Sequence, residues 1–167
     1  VSKMALGLQE KLFLGNLDSK RDWGHAKDYV RMMWMILQAD KADDWVIATG
    51  KTTTVRDFIK LVFRYVGVEV EFKGKGVGEV GIVSKVSDNS YDFKIGQLVV
   101  SVDSKYFRPT EVDILVGDTS KAKTRLGWEP KISLDQLVKD MMKSDLKLMK
   151  KDLDLIKLGY KPKNYFE

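Results

Sequence analysis

An amphipathic helix followed closely by a short apolar strand most restricts how this chain can fold. Apolar side chains recur at the helical spacing of three and four residues within residues 25–39, namely at Ala26, Tyr29, Val30, Met33, Trp34 and Leu37. After a turn at residues 42–44, residues 45–49 form a nearly continuous apolar, β-branched run. Such a run is typical of a strand covered on both faces in a parallel sheet. Together they predict an α/β fold with the helical stripe in its core.

The rest of the chain alternates between strand and helix signals. Alternating or β-branched runs predict strands at residues 68–72, 82–86 and 98–102. Helix caps and stop signals predict three further helices: from Thr54 to about Tyr65, from Asp118 to Leu126, and from a Ser133–Gln136 capping box to about Lys150. The sequence has no internal repeat and no long linker, so its 167 residues are enough for one core but do not divide into independent domains.

Composition excludes several kinds of chemistry. With no cysteine there is no disulfide, thiolate nucleophile or Cys-based zinc site, and the single histidine, His25, excludes a His-rich metal site. No apolar run approaches the roughly 18 residues of a membrane span. The first ten residues lack the plan of a signal peptide, so we expect a cytoplasmic protein. No spacing of hydroxyl, imidazole and carboxylate groups singles out catalytic residues.

The net charge of +5 indicates an anionic partner, either a nucleic acid or a phosphate-bearing metabolite. The densest basic region, residues 139–163, alternates lysines with aspartates at 140, 145, 152 and 154. That mixture is typical of a solvated helix face, and it argues against a nucleic-acid groove. A phosphate-bearing metabolite is therefore the favoured partner.

A G-x-G-x-x-G pattern occurs at residues 76–81, but its context is wrong for a dinucleotide site. The fingerprint needs a helix directly after the glycines, so that the helix N-terminus receives the pyrophosphate. Residues 82–86 are instead β-prone, which predicts a glycine-rich hairpin or loop. The chain also lacks a Tyr followed four residues later by Lys, so the sequence shows no recognisable site for a redox cofactor.

Two segments are richer in polar residues than a core or a plain loop requires. In the first segment, residues 14–25, Gly15 and Gly24 let the backbone approach a ligand, and Lys20 and Arg21 supply adjacent cations before a helix. The planar fork of Arg21 suits a phosphate. Alternatively, Arg21 pairs with a neighbouring aspartate, Asp18 or Asp22, and fixes a turn.

In the second segment, residues 106–112, Arg108 and Glu111 flank a proline beside two aromatic residues. A guanidinium and a carboxylate in that arrangement can hold the phosphate and ribose of a nucleotide. The alternative is a structural ion pair between Arg108 and Glu111.

With their surroundings, these segments resemble the GDP-mannose 4,6-dehydratase family of extended short-chain dehydrogenase/reductases. The likeness includes Arg-Asp-Trp-Gly-His at residues 21–25, the run at 45–50, Tyr-Phe-Arg-Pro-Thr-Glu at 106–111 and Leu-Gly-Trp-Glu-Pro at 126–130. It extends from roughly Leu6 to Lys151, and residues 77–96 match least well.

The resemblance implies a division of the chain and a set of ligand contacts. Residues 1–50 would be the last part of a Rossmann-like domain, residues 51–151 a small C-terminal domain that binds the GDP-sugar, and residues 152–167 a tail of uncertain structure. Gly15 and Arg21 would line the GDP site, with Arg21 on the diphosphate. Arg108 and Glu111 would hold the nucleotide from the other side, with Glu111 on ribose hydroxyls.

The resemblance also implies a reaction. In this family bound NADP oxidises GDP-mannose at C4, water is lost across C5 and C6, and hydride returns to C6, giving GDP-4-dehydro-6-deoxy-D-mannose. The NADP site and the catalytic residues belong to an N-terminal half that this chain lacks, so the chain alone is expected to be inactive. We expect it to pair with that half, to be a dimer or tetramer when full length, and to self-associate in isolation. The alternatives are a non-catalytic module that binds nucleotide sugars or anions, and a related epimerase or 4-reductase.

Overall fold

The computed structural model describes residues 1–108, 112 and 114–162. Within these residues the helices are α1 (Ser2–Ala5), α2 (Ala26–Leu37), α3 (Val55–Tyr65), α4 (Ser120–Leu126) and α5 (Leu134–Lys157). The strands are β1 (Leu12–Leu14), β2 (Lys20–Arg21), β3 (Thr53–Thr54), β4 (Val68–Lys73), β5 (Val80–Val86), β6 (Leu98–Val102) and β7 (Ile114–Leu115). The predicted α/β fold is confirmed.

The strands form two sheets that mix parallel and antiparallel pairs. The larger sheet has the order β1-β6-β5-β4, in which β1 and β6 are parallel and the other neighbours are antiparallel. The smaller has the order β3-β2-β7, with β2 antiparallel to β3 and parallel to β7. In each sheet a strand that lies in or directly before the first polar segment (β1 or β2) is therefore paired with a strand close to the second (β6 or β7).

Two groups of buried side chains stabilise the fold. The larger joins the four-stranded sheet to α3 and α5, and Phe63 and Val99 at its centre are inaccessible to solvent. The smaller is centred on Met32 of α2, Ala122 of α4 and the fully buried Trp128. The indole N–H of Trp128 donates to the backbone oxygen of Asp28 at 3.1 Å, so this buried polar group is satisfied.

Most of the sequence signals for helix ends agree with the structure, but the N-cap of α4 is Thr119 and not the predicted Asp118. Thr54 caps α3 by accepting a hydrogen bond from the Asp57 amide, and Ser133 and Gln136 form the predicted capping box of α5. Gly127 ends α4 with a φ of 63°, a conformation that favours glycine. Helix α5 continues beyond the predicted end to Lys157, so residues 152–157 of the predicted tail are helical.

The prediction that the apolar stripe of α2 lies in the core is wrong for five of its six positions, because only Tyr29 is partly buried and Ala26 is exposed like the other four. Val30, Met33, Trp34 and Leu37 are between 55% and 80% exposed. The helix instead buries Met32, with Tyr29, Met35 and Ile36 partly buried beside it. Helical periodicity identifies apolar faces, but it does not specify which face the rest of the chain covers.

The predicted strand at residues 45–49 is also wrong, because the segment lies outside the sheets of the described structure. It runs alongside Gly117, where a Cβ atom would come within 3.0 Å of a Val46 methyl group. Its end is tied to the Asp22 carboxylate, which accepts hydrogen bonds from the amides of Thr49 and Gly50, each at 2.8 Å. Apolar, β-branched composition predicted burial, but a strand also needs a backbone partner at the right register.

Candidate functional site

The two polar segments leave the larger sheet at the same edge. Leu14, at the end of β1, is in register with Val102, at the end of β6. The Asp103 amide then donates to the Leu14 carbonyl at 2.8 Å. Because β1 and β6 are parallel, their carboxyl ends meet, and this is where α/β sheets commonly bind ligands.

Gly15 lies directly against the second segment. A Cβ atom at Gly15 would be 2.9 Å from the Tyr106 carbonyl carbon and would overlap its oxygen. The absence of a side chain at Gly15 thus allows the two backbones to touch. At Gly24 the space that a side chain would need is occupied by the Tyr29 ring and not by the second segment, because a Cβ atom would be 2.7 Å from a ring carbon of Tyr29. Burial, reinforced by Asp22 and Asp28, raises the pKa of the Tyr29 hydroxyl.

Arg21 joins the first segment to the end of the second. It is in register with Leu115 across β2 and β7, and its Nη1 donates to the Val112 carbonyl and the Lys20 carbonyl, each at 2.9 Å. The aspartates considered as its structural partners have other contacts: Asp18 with Arg56, and Asp22 with residues 49–50. The structure therefore places Arg21 beside the second segment.

Arg108 lies at the exposed rim of the same region. The turn before it is anchored, because the amides of Tyr106 and Phe107 both donate to the Asp103 carbonyl and Phe107 packs on the larger core. Arg108 itself is exposed and makes no hydrogen bond or ion pair with the part of the chain that the structure describes. The fourth predicted residue, Glu111, lies outside the described residues.

A buried ion pair beside the first segment was not predicted from the sequence. Glu79, at 5% exposure, accepts hydrogen bonds from Nε of Arg56 at 2.9 Å and from Nη2 at 2.7 and 2.8 Å. Nη1 of Arg56 contacts the Asp18 carboxylate. The hydrogen bond with Asp18, supported by Glu79, raises the pKa of Arg56. Nothing in the spacing of three residues so far apart signals this contact.

The glycine pattern at residues 76–81 does not fit a dinucleotide. A short 3₁₀ turn, Gly76–Gly78, leads into β5, which pairs antiparallel with β4. The predicted hairpin is thus confirmed, and the turn offers no helix N-terminus to a pyrophosphate. Gly81 is packed in the sheet, since a Cβ atom there would lie 2.9 Å from Cβ of Val100.

The described residues contain neither a metal-binding cluster nor a helix that could span a membrane. No group of three or more His, Cys, Asp or Glu side chains is placed to hold a metal ion. His25 instead caps α2, accepting a hydrogen bond at Nδ1 from the Lys27 amide at 3.0 Å. None of the described helices has the length and apolar character needed to cross a membrane.

Solved structures with this fold act on nucleotide sugars or carry a nicotinamide cofactor. RMD from Pseudomonas aeruginosa, solved with NADPH, aligns with a TM-score of 0.64 at 18% identity, over 88% of this chain and 40% of that one. UDP-glucose 4-epimerase from Thermotoga maritima, solved with UDP-glucose, aligns with a TM-score of 0.59 at 26% identity, over 89% and 38%. The chain thus has the fold of part of an extended short-chain dehydrogenase/reductase, with its Rossmann-like character.

Sequence comparison narrows this class to one family. The family model for GDP-mannose 4,6 dehydratase matches residues 1–141. GDP-mannose 4,6-dehydratase from Yersinia enterocolitica is 50% identical over 151 residues, and the human GDP-mannose 4,6 dehydratase is 47% identical over 150. The chain belongs to the GDP-mannose 4,6-dehydratase family. Each alignment covers 90% of this chain but only 41% and 38% of the relative, so the chain spans about two-fifths of their length.

Proposed function

We propose that this chain is the GDP-sugar-binding portion of a GDP-mannose 4,6-dehydratase, an enzyme that converts GDP-mannose to GDP-4-dehydro-6-deoxy-D-mannose. The observation that carries the proposal is the meeting of the two segments at one sheet edge. Gly15 abuts Tyr106, and Arg21 donates to the Val112 carbonyl. These contacts bring two arginine-containing segments, far apart in sequence, to the edge where α/β folds bind ligands.

In this proposal the site residues have distinct roles. Gly15 permits the close approach of the two backbones. Arg21 directs its guanidinium to the diphosphate while its Nη1 bond to the Val112 carbonyl fixes its orientation. Arg108, which makes no hydrogen bond or ion pair with the described residues, supplies a second charge-assisted contact to the nucleotide. Glu111 would accept hydrogen bonds from ribose hydroxyls.

We also propose that NADP and the catalytic residues belong to a preceding half of the protein. The glycine pattern in this chain does not fit a dinucleotide, and family members are more than twice as long. The exposed apolar face of α2 offers a surface that this half would cover. The full-length protein would be a cytoplasmic homo-oligomer, and the present chain would be inactive alone.

The binding proposal is tested by titrating the chain with GDP in a calorimeter. We expect Arg108→Ala to weaken binding by about 2–4 kcal/mol, because it removes one side of a charge-assisted contact. The unfolding temperature should stay unchanged, since Arg108 is exposed and makes no hydrogen bond or ion pair with the described residues. The control is Arg125→Ala, which removes an exposed arginine paired with Asp43 and should leave GDP binding intact. Equal loss in both variants would contradict a specific role for Arg108.

The enzyme proposal needs the remaining part of the protein. Adding a separately expressed N-terminal half of a family member, loaded with NADP, should give turnover of GDP-mannose and a 6-deoxy product. Binding of GDP without turnover would favour the alternative of a non-catalytic module. A turnover product that keeps its C6 hydroxyl would favour an epimerase or 4-reductase.

A further inference from the structure

We infer that Arg56 is a positioning residue that sets the conformation of the loop between Gly15 and Arg21. Its guanidinium is held by the buried Glu79 and in turn holds Asp18 in the loop. The role in nucleotide binding rests on the function proposed above, because the loop connects two of the proposed contact residues. The claim about the loop itself does not depend on that function.

The first step is the fixing of Arg56 by Glu79. The Glu79 side chain is 6% exposed, and a carboxylate so deeply buried is costly unless it is paired. Arg56 meets it through two nitrogens, Nε at 2.9 Å and Nη2 at 2.7 Å, which fixes the plane of the guanidinium. Glu79 is itself tied to the sheet, because its carbonyl accepts from the Val102 amide at 3.0 Å.

The second step is the attachment of the loop at the start of α3. The remaining Arg56 nitrogen, Nη1, contacts the Asp18 carboxylate. The Arg56 amide donates to the Leu17 carbonyl at 3.0 Å, and the Val55 amide donates to the Ser19 carbonyl at 3.1 Å. Three successive loop residues are therefore bound to one turn of α3.

The contact with Asp18 can be separated from the folding of the chain. The Asp18 side chain is 74% exposed, and exposed ion pairs contribute little to global stability. The loop also has an internal bond, from the Asp18 amide to Oδ1 of Asn16 at 2.9 Å. Removing the Asp18 carboxylate should thus loosen the loop locally and leave the buried Glu79–Arg56 pair intact.

Whether removal of the Asp18 carboxylate raises or lowers the affinity for GDP distinguishes a positioning role from simple electrostatics. Asp18 is negative, so it repels a diphosphate, and removing it would strengthen binding if charge alone mattered. If Asp18 orders the loop for binding, its removal weakens binding because the ligand must then order the loop. Asparagine keeps an oxygen that can accept from Arg56 and removes the charge, so Asp18→Asn should bind GDP at least as well as the wild type.

The test compares Asp18→Ala, Asp18→Asn and a control, Glu69→Ala. Glu69 is 51% exposed and paired with Lys85 at 3.1 Å on the β4–β5 hairpin, so the control removes a similar exposed ion pair. We expect Asp18→Ala to weaken GDP binding about tenfold with no change in unfolding temperature. Its Val55 and Arg56 amides should exchange with solvent about tenfold faster. The control should alter neither quantity.

Each outcome supports or overturns either the positioning role of Arg56 or the proposed binding of GDP. Tighter GDP binding by Asp18→Ala, or unchanged binding and unchanged amide exchange, overturns the positioning role. A weakening that Asp18→Asn fails to rescue also overturns it. If the wild type binds no GDP, the proposed function fails, and exchange at the Val55 and Arg56 amides alone decides whether Arg56 positions the loop.

Discussion

Replacing Gly15 by alanine tests whether the two segments meet as the structure indicates. The added methyl carbon would lie 2.9 Å from the Tyr106 carbonyl carbon, whereas ordinary contact begins at 3.4 Å. It would be closer still to the carbonyl oxygen. Both obstructing atoms belong to the backbone, so a side-chain rotation cannot relieve the overlap. The two segments must separate by more than half an ångström.

The cost of this separation follows from the effect of overpacking. Forcing an extra methyl group into a well-packed site costs about 1–3 kcal/mol, and we expect about 2 kcal/mol here. For a chain of 167 residues that corresponds to a decrease of about 4–8 °C in unfolding temperature. GDP binding at a temperature where the variant is fully folded should also weaken, because Arg108 follows Tyr106 by two residues.

Gly78→Ala is the matched control. A Cβ atom at Gly78 meets nothing within 4 Å, and its φ lies outside the left-handed region. Alanine there should leave unfolding unchanged or raise stability by up to about 1 kcal/mol, through the smaller entropy of the unfolded chain. Scanning calorimetry on both variants gives the comparison. Equal unfolding temperatures for Gly15→Ala and Gly78→Ala would refute the close approach at Gly15.

Three further predictions concern the surface, a helix cap and pH. Trp34→Lys should reduce self-association in sedimentation velocity without lowering the unfolding temperature, because Trp34 is 63% exposed on the apolar face of α2. Unchanged association would show that this face of α2 does not mediate self-association. Ser133→Ala should cost about 1 kcal/mol in chemical denaturation by removing the capping box of α5, and an unchanged midpoint would contradict that assignment. The hydrogen bond from Lys121 holds the pKa of Asp43 below its usual value, so this pair stabilises the fold at pH values where an ordinary aspartate is ionised, and its contribution is lost as pH falls through the lowered pKa. Lys121→Met should therefore raise the Asp43 pKa in an NMR titration and be less stable than wild type at neutral pH, with the difference vanishing in acid.

Signals that act within one or two turns of the chain were enough to predict most elements. The helix at residues 25–39, the Thr54 cap and the Ser133–Gln136 box depend on neighbouring residues, and the structure contains each of them. The strands predicted at 68–72, 82–86 and 98–102 are confirmed for a similar reason. Their alternating or β-branched composition matches the pleated surface that they form.

The errors arose where the outcome depends on distant partners. The apolar stripe of α2 is genuine, but the described residues cover the opposite face of the helix. Residues 45–49 have strand composition and lack a strand partner within the described structure. Both regions lie in residues 1–50, which the family resemblance predicts to be the last part of a Rossmann-like domain.

The sequence indicated which residues are candidates for a binding site, but it did not indicate which of them lie in contact. Arg21 could be identified from the sequence because glycines occur in the same segment. Arg108 could be identified because it lies between two aromatic residues and a proline. The approach of Gly15 to Tyr106 joins residues 91 positions apart and has no local signature. The link from Asp18 through Arg56 to Glu79 is equally nonlocal, since each pairing depends on the folded sheet.

The most direct test of the proposed GDP site is to titrate the isotopically labelled chain with GDP and follow its backbone amides by NMR. We predict that shifts cluster at residues 14–21 and 106–108, because these segments meet at one edge of the larger sheet. Shifts confined to other surfaces, such as the cleft lined by Lys11, Lys147 and Lys150, would contradict it. So would the absence of any shift at millimolar GDP.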